Sequence, residues 1–244
     1  MRGRGILRYG ALVEATERLL LNNSPDAVGL YQIAEEAGVP PASVYHFFPT
    51  KEAAFLALAR TYLDEFIRLG EGPVPIAELH SWQDLIRIDM GRGKDFYNDH
   101  PPAMKILYGG YGGVETREVD SLYNLRIAES LSRRLNTVFH MPISRNTVSM
   151  FENCLAIIDG IWTISYRRYG TITDEYYNEA LKACNAYCRL YLPETVELRE
   201  DYHSAAERGE ILALTTSEES EYGARKRRVA RTGQASRAKQ APQD

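Results

Sequence analysis

Ser43, Tyr45, His46 and Lys51 fall within one short stretch, Ser43-Val44-Tyr45-His46-Phe47-Phe48-Pro49-Thr50-Lys51-Glu52. Their side chains suit hydrogen bonding to base edges and phosphate oxygens rather than bond making. Ser43 and His46 can donate or accept on either, Tyr45 offers an aromatic body and a hydroxyl, and Lys51 is a cation for a phosphate. Just before them, Pro41 and Ala42 are short and apolar, as a thymine methyl group requires. Tyr31 and Gln32, further upstream, are placed to flank the nucleic-acid backbone on the other side. The expected partner is a double-stranded DNA operator.

Two short helices must hold these groups. Ile33, Ala34 and Ala37 recur at helical spacing, Gly38-Val39 interrupts, and Val44 and Phe47 fall on one face of a second helix. Residues 30–49 therefore read as a helix-turn-helix, which places its second helix in the DNA major groove. Ala34 is small enough for a close crossing, Gly38 can take the positive φ of the sharp turn, and Val39, Val44 and Phe47 pin the two helices together.

The remainder of the chain reads as helix nearly throughout. A first helix is expected over about 9–21, with Leu12, Ala15, Thr16, Leu19 and Leu20 inward, and Asn22-Asn23-Ser24-Pro25 ends it. Thr50 caps a fourth helix over about 51–69. Gly70, Gly72, Pro73 and Pro75 form the clearest break. Ser81 caps a helix to about Asn98, His100-Pro101-Pro102 stops it, and a short helix runs to Leu107. The glycine-rich stretch at 108–113 follows no strand and lacks a phosphate-binding lysine, so it reads as loop. Long helices are expected over about 116–139, 144–169 and 173–192, the second closed by Gly170 and the third opened by Thr173 with Asp174 and Glu175. A weaker helix is expected over about 193–208. With no alternating strand pattern, the fold class is all-α: an N-terminal three-helix DNA-binding domain (1–50), joined through helix 4 to a larger helical domain (51–214). The basic tail at 215–244, with Arg225, Lys226, Arg227 and Arg228, is poor in apolar residues and reads as disordered.

The 244 residues carry a net charge of −4 and are 44% hydrophobic, so a mildly acidic body bears a small DNA-reading head whose charge is local. No apolar run approaches the ~20 residues that span a bilayer. The basic N-terminus lacks the apolar stretch and cleavage site of a signal peptide. A cytoplasmic protein without membrane contact is expected. Cys184 and Cys188, four apart, share a helix face, but no His or Asp lies near them at ligand spacing. With Cys154 they read as buried small hydrophobes, with neither a metal site nor a disulfide framework. No zinc-protease helix, nucleophile elbow or phosphate-binding lysine loop is present, so no catalytic residue or cofactor is assigned.

The first ~65 residues resemble the TetR family of bacterial transcription regulators. The match runs from Leu12-Val13-Glu14-Ala15 through Ile33-Ala34-Glu35-Glu36-Ala37-Gly38-Val39, and its most specific part is Tyr45-x-x-Phe48-x-x-Lys51-Glu52. Beyond Leu69 the likeness is architectural, with Asp159-Gly160 placed as in the family's penultimate helix. The resemblance implies a homodimer paired through helices 144–169 and 173–192, and repression relieved by a small molecule bound in the second domain. Leu155, Ile158, Trp162 and Ser165, with Ala180, Cys184, Tyr187 and Tyr191, fit that interface and an internal core equally well. Two positions depart from the family. Gly29 stands where a capping Thr usually opens helix 2, and Pro40 where Ser or Thr precedes helix 3, so backbone N–H groups there replace hydroxyl contacts to phosphate.

The second domain is rich in aromatics. Trp82, Tyr97, Tyr108, Tyr123, Trp162 and Tyr166 are the candidate effector contacts, for a small apolar or aromatic molecule. Asp89, Arg92, His100 or Arg126 are candidates for a charged handle. Two alternatives stand beside this reading: a DNA-binding regulator or adaptor without an effector, and a helical enzyme whose site is assembled from distant residues.

Overall fold

A computed structural model describes residues 3–111, 113–142, 146–202 and 211–212. Nine α-helices lie among these residues. The first four are α1 (Gly3–Asn22), α2 (Leu30–Glu36), α3 (Pro41–Phe47) and α4 (Lys51–Gly70). The remaining five are α5 (Trp82–Asp99), α6 (Pro101–Leu107), α7 (Gly113–Val138), α8 (Thr147–Tyr169) and α9 (Asp174–Cys188).

The head domain is built around the inward faces of its helices. Leu12, Ala15 and Leu20 of α1, Ile33 and Ala34 of α2, Val44 of α3, and Phe55 and Leu58 of α4 are all buried. Each Leu or Val so placed contributes about 1.5–3 kcal/mol through burial. Thr16, also buried, satisfies its hydroxyl by donating to the Leu12 carbonyl at 2.8 Å. The turn after α2 is a Schellman motif: Gly38 has φ 65°, Val39 N donates to Ala34 O at 3.0 Å, and Gly38 N donates to Glu35 O at 3.0 Å. Two helix ends expected from the sequence are present. Thr50 Oγ1 accepts from Ala53 N at 3.2 Å at the start of α4, and Asn23 donates to the Leu19 carbonyl at 2.8 Å past the end of α1. α1 itself begins earlier than expected, at Gly3 rather than near Tyr9.

In the second domain, Ser81 opens α5 indirectly. The Asp84 carboxylate takes the N–H groups of His80 and Ser81 at 3.1 and 2.9 Å, and the Ser81 hydroxyl donates to the same oxygen at 2.8 Å. α8 lies against both α7 and α9. Gly170 closes α8 with φ 72° and Thr173 caps α9. Ile158, Trp162, Ser165, Ala180 and Cys184 are buried within this one chain, so they belong to its own core. Tyr191 is exposed.

Three expectations are corrected. α9 stops at Cys188, four residues before Leu192, and three tight turns follow, including Leu192 N to Cys188 O at 2.8 Å. The segment after Pro193 does not begin a helix. Its backbone is taken by the end of α7, through a Phe139–Leu198 bridge, His140 N to Glu197 O at 2.9 Å and Arg199 N to Val138 O at 2.9 Å; a helical turn starts only at Glu200. The all-α reading is otherwise correct, with one addition: β1 (Val74–Pro75) pairs antiparallel with β2 (Ile211–Leu212). Ser144, most of the stretch 203–214 and the whole tail 215–244 lie outside the described residues. Among the described residues no helix is long and apolar enough to cross a membrane.

Candidate nucleic-acid interface and internal cavity

On α3, Pro41, Ala42, Tyr45 and His46 are exposed while Val44 and Phe48 are buried. That is the i, i+1, i+4, i+5 pattern of one outward helix face. Tyr45 is 59% exposed and Tyr31, in the first turn of α2, 65%. Neither is a core tyrosine. Ser43 is half-buried. The Tyr9 ring lies 6.1 Å from Phe47 and 5.3 Å from Phe48, so α1 braces the end of α3 from behind. Exposed Arg4 and Arg8 lie near the start of α1.

Two of the expected contacts do additional work. Gln32 is exposed, but its amide is spent locally: Oε1 accepts from Gly29 N at 2.8 Å and Nε2 donates to Ala27 O at 3.1 Å. Gln32 thus supplies the cap that Gly29 lacks, in the second half of a capping box. The sequence signal was present, a Gln three residues after the cap position. Lys51 Nζ donates to the Pro25 carbonyl at 3.2 Å and ties the start of α4 to the α1–α2 connection. An ammonium has three donors, so two remain for phosphate oxygens.

Behind the head lies an internal cavity of about 90 Å³, walled by α4, α5, α7, α8 and α9. Its wall is mainly apolar, with Phe66, Met90, Phe151 and Ile158 among its residues. Polar atoms are few and specific. Arg134, 4% exposed, grips Asp89 through both terminal nitrogens at 2.6 and 3.0 Å. Its Nε, and the indole nitrogen of Trp162, are buried without a hydrogen-bond partner among the described residues. Both residues line the cavity. Buried unpaired donors are costly, and a ligand bearing an acceptor would relieve them.

A second, more polar cavity of about 240 Å³ adjoins it and shares Tyr97 and Asp159. Asp159 accepts from Tyr108 and from Asn124, each at 3.1 Å. Burial pushes the Asp159 carboxyl up to about 6. Burial, reinforced by the neighbouring charge of Asp159, pushes Asp120 up to about 7.

Of the six aromatic effector candidates, Tyr97 and Trp162 line the first cavity and Tyr108 the second. The other three line neither. Trp82 is fully buried and donates to the Pro193 carbonyl at 3.0 Å. Tyr123 donates to Asp64 at 2.7 Å beneath the Arg126 guanidinium, joining α7 to α4. Tyr166 is half-buried outside both cavities. Of the charge candidates, Asp89 and Arg92 reach the first cavity. His100 stacks 4.4 Å from Phe96, and Arg126 pairs with Asp64 at 3.7 Å.

Lys105 on α6 has no counterpart in the sequence reading. Its ammonium donates to the carbonyls of Leu20, Leu21 and Asn23 at the end of α1, where a cation suits the helix dipole. It links the second domain to the head. The three cysteines are buried as expected, but α8 brings Cys154 to the other two, with Sγ 3.2 Å from that of Cys188.

An outward recognition face, a braced helix-turn-helix and a helical body define a DNA-binding regulator of the helix-turn-helix class. Residues 12–58 match the model of the bacterial regulatory proteins, tetR family. The chain is 26% identical over 191 residues to the HTH-type transcriptional regulator BetI of Rhizobium meliloti, covering 72% of this chain and 91% of that protein. It shares its fold with a TetR-family regulator from Streptomyces coelicolor (TM-score 0.57, 18% identity, 77% of this chain and 99% of that one). It also matches SmeT, the repressor of the Stenotrophomonas maltophilia multidrug efflux pump SmeDEF (TM-score 0.55, 14% identity, 76% and 91%). Residues 12–58 thus carry a helix-turn-helix DNA-binding segment of the tetR-family type, and the chain as a whole is similar to TetR-family transcriptional regulators. These matches point to a regulator rather than an enzyme.

Proposed function

We propose that this regulator is a repressor that binds a two-fold symmetric operator as a homodimer and leaves it when a small apolar or aromatic molecule enters the second domain. It would act in the bacterial cytoplasm. The observation that carries this reading is the reach of α4. Its first residue, Lys51, holds the head through Pro25, and Phe66, Ile67, Leu69 and Gly70 in its last turns line the cavity. Lys105 adds a second tie between the domains. A ligand that reshapes the cavity therefore acts on an element that also positions the recognition helix, which is the differential contact that a population shift requires.

On DNA, α3 lies in the major groove. Pro41, Ala42 and Ser43 meet base edges, His46 meets a base or a phosphate, and Tyr45, Tyr31 and Lys51 meet phosphates. Gln32 positions α2 by capping it. The dimer forms through α8 and α9. Ala156, Gly160 and Ile164 are exposed at i, i+4, i+8 on α8, and Ala186 and Leu190 at i, i+4 near the end of α9. A Cβ at Gly160 would meet nothing within 4 Å, which leaves room for close approach of a partner helix.

Selection of bound DNA from a random pool tests the reading. The enriched sequence should be a palindrome with half-sites about one helical turn apart, or a multiple of it. An unsymmetrical site sinks the dimer, and failure of every stabilising compound from a thermal-shift screen to release that DNA sinks the induction.

A further inference from the structure

Three thiols meet where α8 lies against α9. Cys154 belongs to α8, and Cys184 and Cys188 lie one turn apart on α9. They are 2%, 1% and 0% exposed. Their sulfurs all lie within 4.8 Å of one another, and among the described residues no histidine or carboxylate joins them. Cys154 and Cys184 also line the apolar cavity, so a small uncharged molecule held there lies beside two of the three cysteines.

Thiolates select soft ions, and charge and geometry narrow the choice. Zinc wants four ligands in a closed tetrahedron, and only three are present here. Three thiolates around a divalent ion leave a net charge beside Phe151, Leu155 and Ile158 in the cavity wall, where burying charge is costly. A trivalent ion gives a neutral complex. Trivalent arsenic and antimony bind three sulfurs as a pyramid and keep a lone pair in the fourth direction, so they need no further ligand. With bonds of about the 2.3 Å common to metal thiolates, that pyramid sets its sulfurs roughly 3.5 Å apart. Here the Cys154 and Cys188 sulfurs are 3.2 Å apart and no pair of the three exceeds 4.8 Å, which is compatible with that value.

We propose that Cys154, Cys184 and Cys188 form a binding site for a trivalent thiophilic metalloid, taken up as uncharged arsenous acid or its antimony counterpart. The step is a ligand exchange: three As–O bonds break, three As–S bonds form, and each thiol proton leaves with a hydroxide as water. No electron changes hands. The product staples α8 to α9. The site stands on the cysteine geometry and does not depend on an organic effector.

Titrating the reduced full chain with sodium arsenite tests it. One arsenic per chain is expected in native mass spectrometry, with a gain of one arsenic less three protons. X-ray absorption should show three sulfur neighbours and no oxygen. No adduct, a shell of two sulfurs and one oxygen, or preferential uptake of zinc over arsenite overturns the proposal. Cys154→Ala, Cys184→Ala and Cys188→Ala should each lose the three-sulfur shell while keeping the parent circular dichroism. A Cys154→Ala chain that binds arsenite as tightly as the parent overturns it as well. If an alanine variant fails to fold, the absorption spectrum of the unaltered protein decides alone.

Discussion

Lys51→Ala should change two measurements by separable amounts. The ammonium donates to the Pro25 carbonyl at 3.2 Å from a half-buried position, and a hydrogen bond to a charged group contributes about 1.5–3 kcal/mol net. With solvent competing, the lower end applies, so the variant should lose about 1.5 kcal/mol in urea denaturation. The second measurement is DNA binding. Each phosphate contact contributes about 0.9 to the slope of log affinity against log salt. A dimer loses two such contacts, so the slope should shallow by about 1.8. Between 50 and 200 mM salt the variant's affinity deficit should therefore shrink roughly twelvefold, and by a similar factor on specific and unrelated duplexes. Anisotropy of a labelled operator at several salt concentrations reads this directly. Parallel salt plots accompanied by the expected stability loss would refute the phosphate assignment and leave Lys51 a brace for Pro25 alone.

Three further outcomes follow from the geometry. Gly38 has φ 65° and open space where a Cβ would point, so Gly38→Ala should cost about 1 kcal/mol of backbone strain and Gly38→Asn less; an unchanged urea midpoint for the alanine variant contradicts this. Gly160→Leu, on the exposed face of α8, should leave the helical signal intact while sedimentation shifts from dimer to monomer, and an unaltered mass removes Gly160 from the interface. The Asp120 and Asp159 carboxyls are held up to about 7 and about 6, against an ordinary 3.8. The folded chain thus binds more protons than the unfolded one, and stability falls as pH rises from about 4 through 7. Asp120→Asn should accordingly raise the melting temperature relative to the parent at pH 8 and not at pH 4; an equal shift at both contradicts the assignment.

The sequence was most informative where the chemistry is local. Gly38, Thr50, Gly170 and Thr173 end or begin helices through their own backbone and hydroxyl groups, within four residues, and each does so in the structure. The exposed face of α3 was legible for the same reason, since Val44 fixes which side turns inward; of the two phenylalanines, Phe47, expected beside it, is half-buried and Phe48 is the one fully enclosed. Groups that act across the chain were not legible. An aromatic side chain carries no mark of which helix will face it, so Trp82, bonded to Pro193, and Trp162, on the cavity wall, looked alike. Cys154 joins Cys184 and Cys188 only because α8 and α9 pack in one particular register. The segment at 193–199 was expected to be helical, yet its hydrogen bonds are made with Trp82, Gln83, Val138 and His140, partners far away in sequence.

α4 has twenty residues, and at 1.5 Å per residue it is a rod of about 30 Å. Its cavity end and its head end therefore move as a lever. A tilt of about 5° at the cavity displaces the Lys51 end by roughly 2.6 Å, and two such rods in a dimer change the spacing of their recognition helices by up to twice that. The rise per base pair is about 3.4 Å. A ligand of modest size, wedged against Phe66 and Leu69, can thus put the two reading heads out of step with DNA by more than one base pair without unfolding anything. Under the proposed induction, the rigidity of α4 sets how far a movement at the cavity is carried to the recognition helix, while the ligand's differential affinity for the two arrangements sets how much of the protein makes that movement.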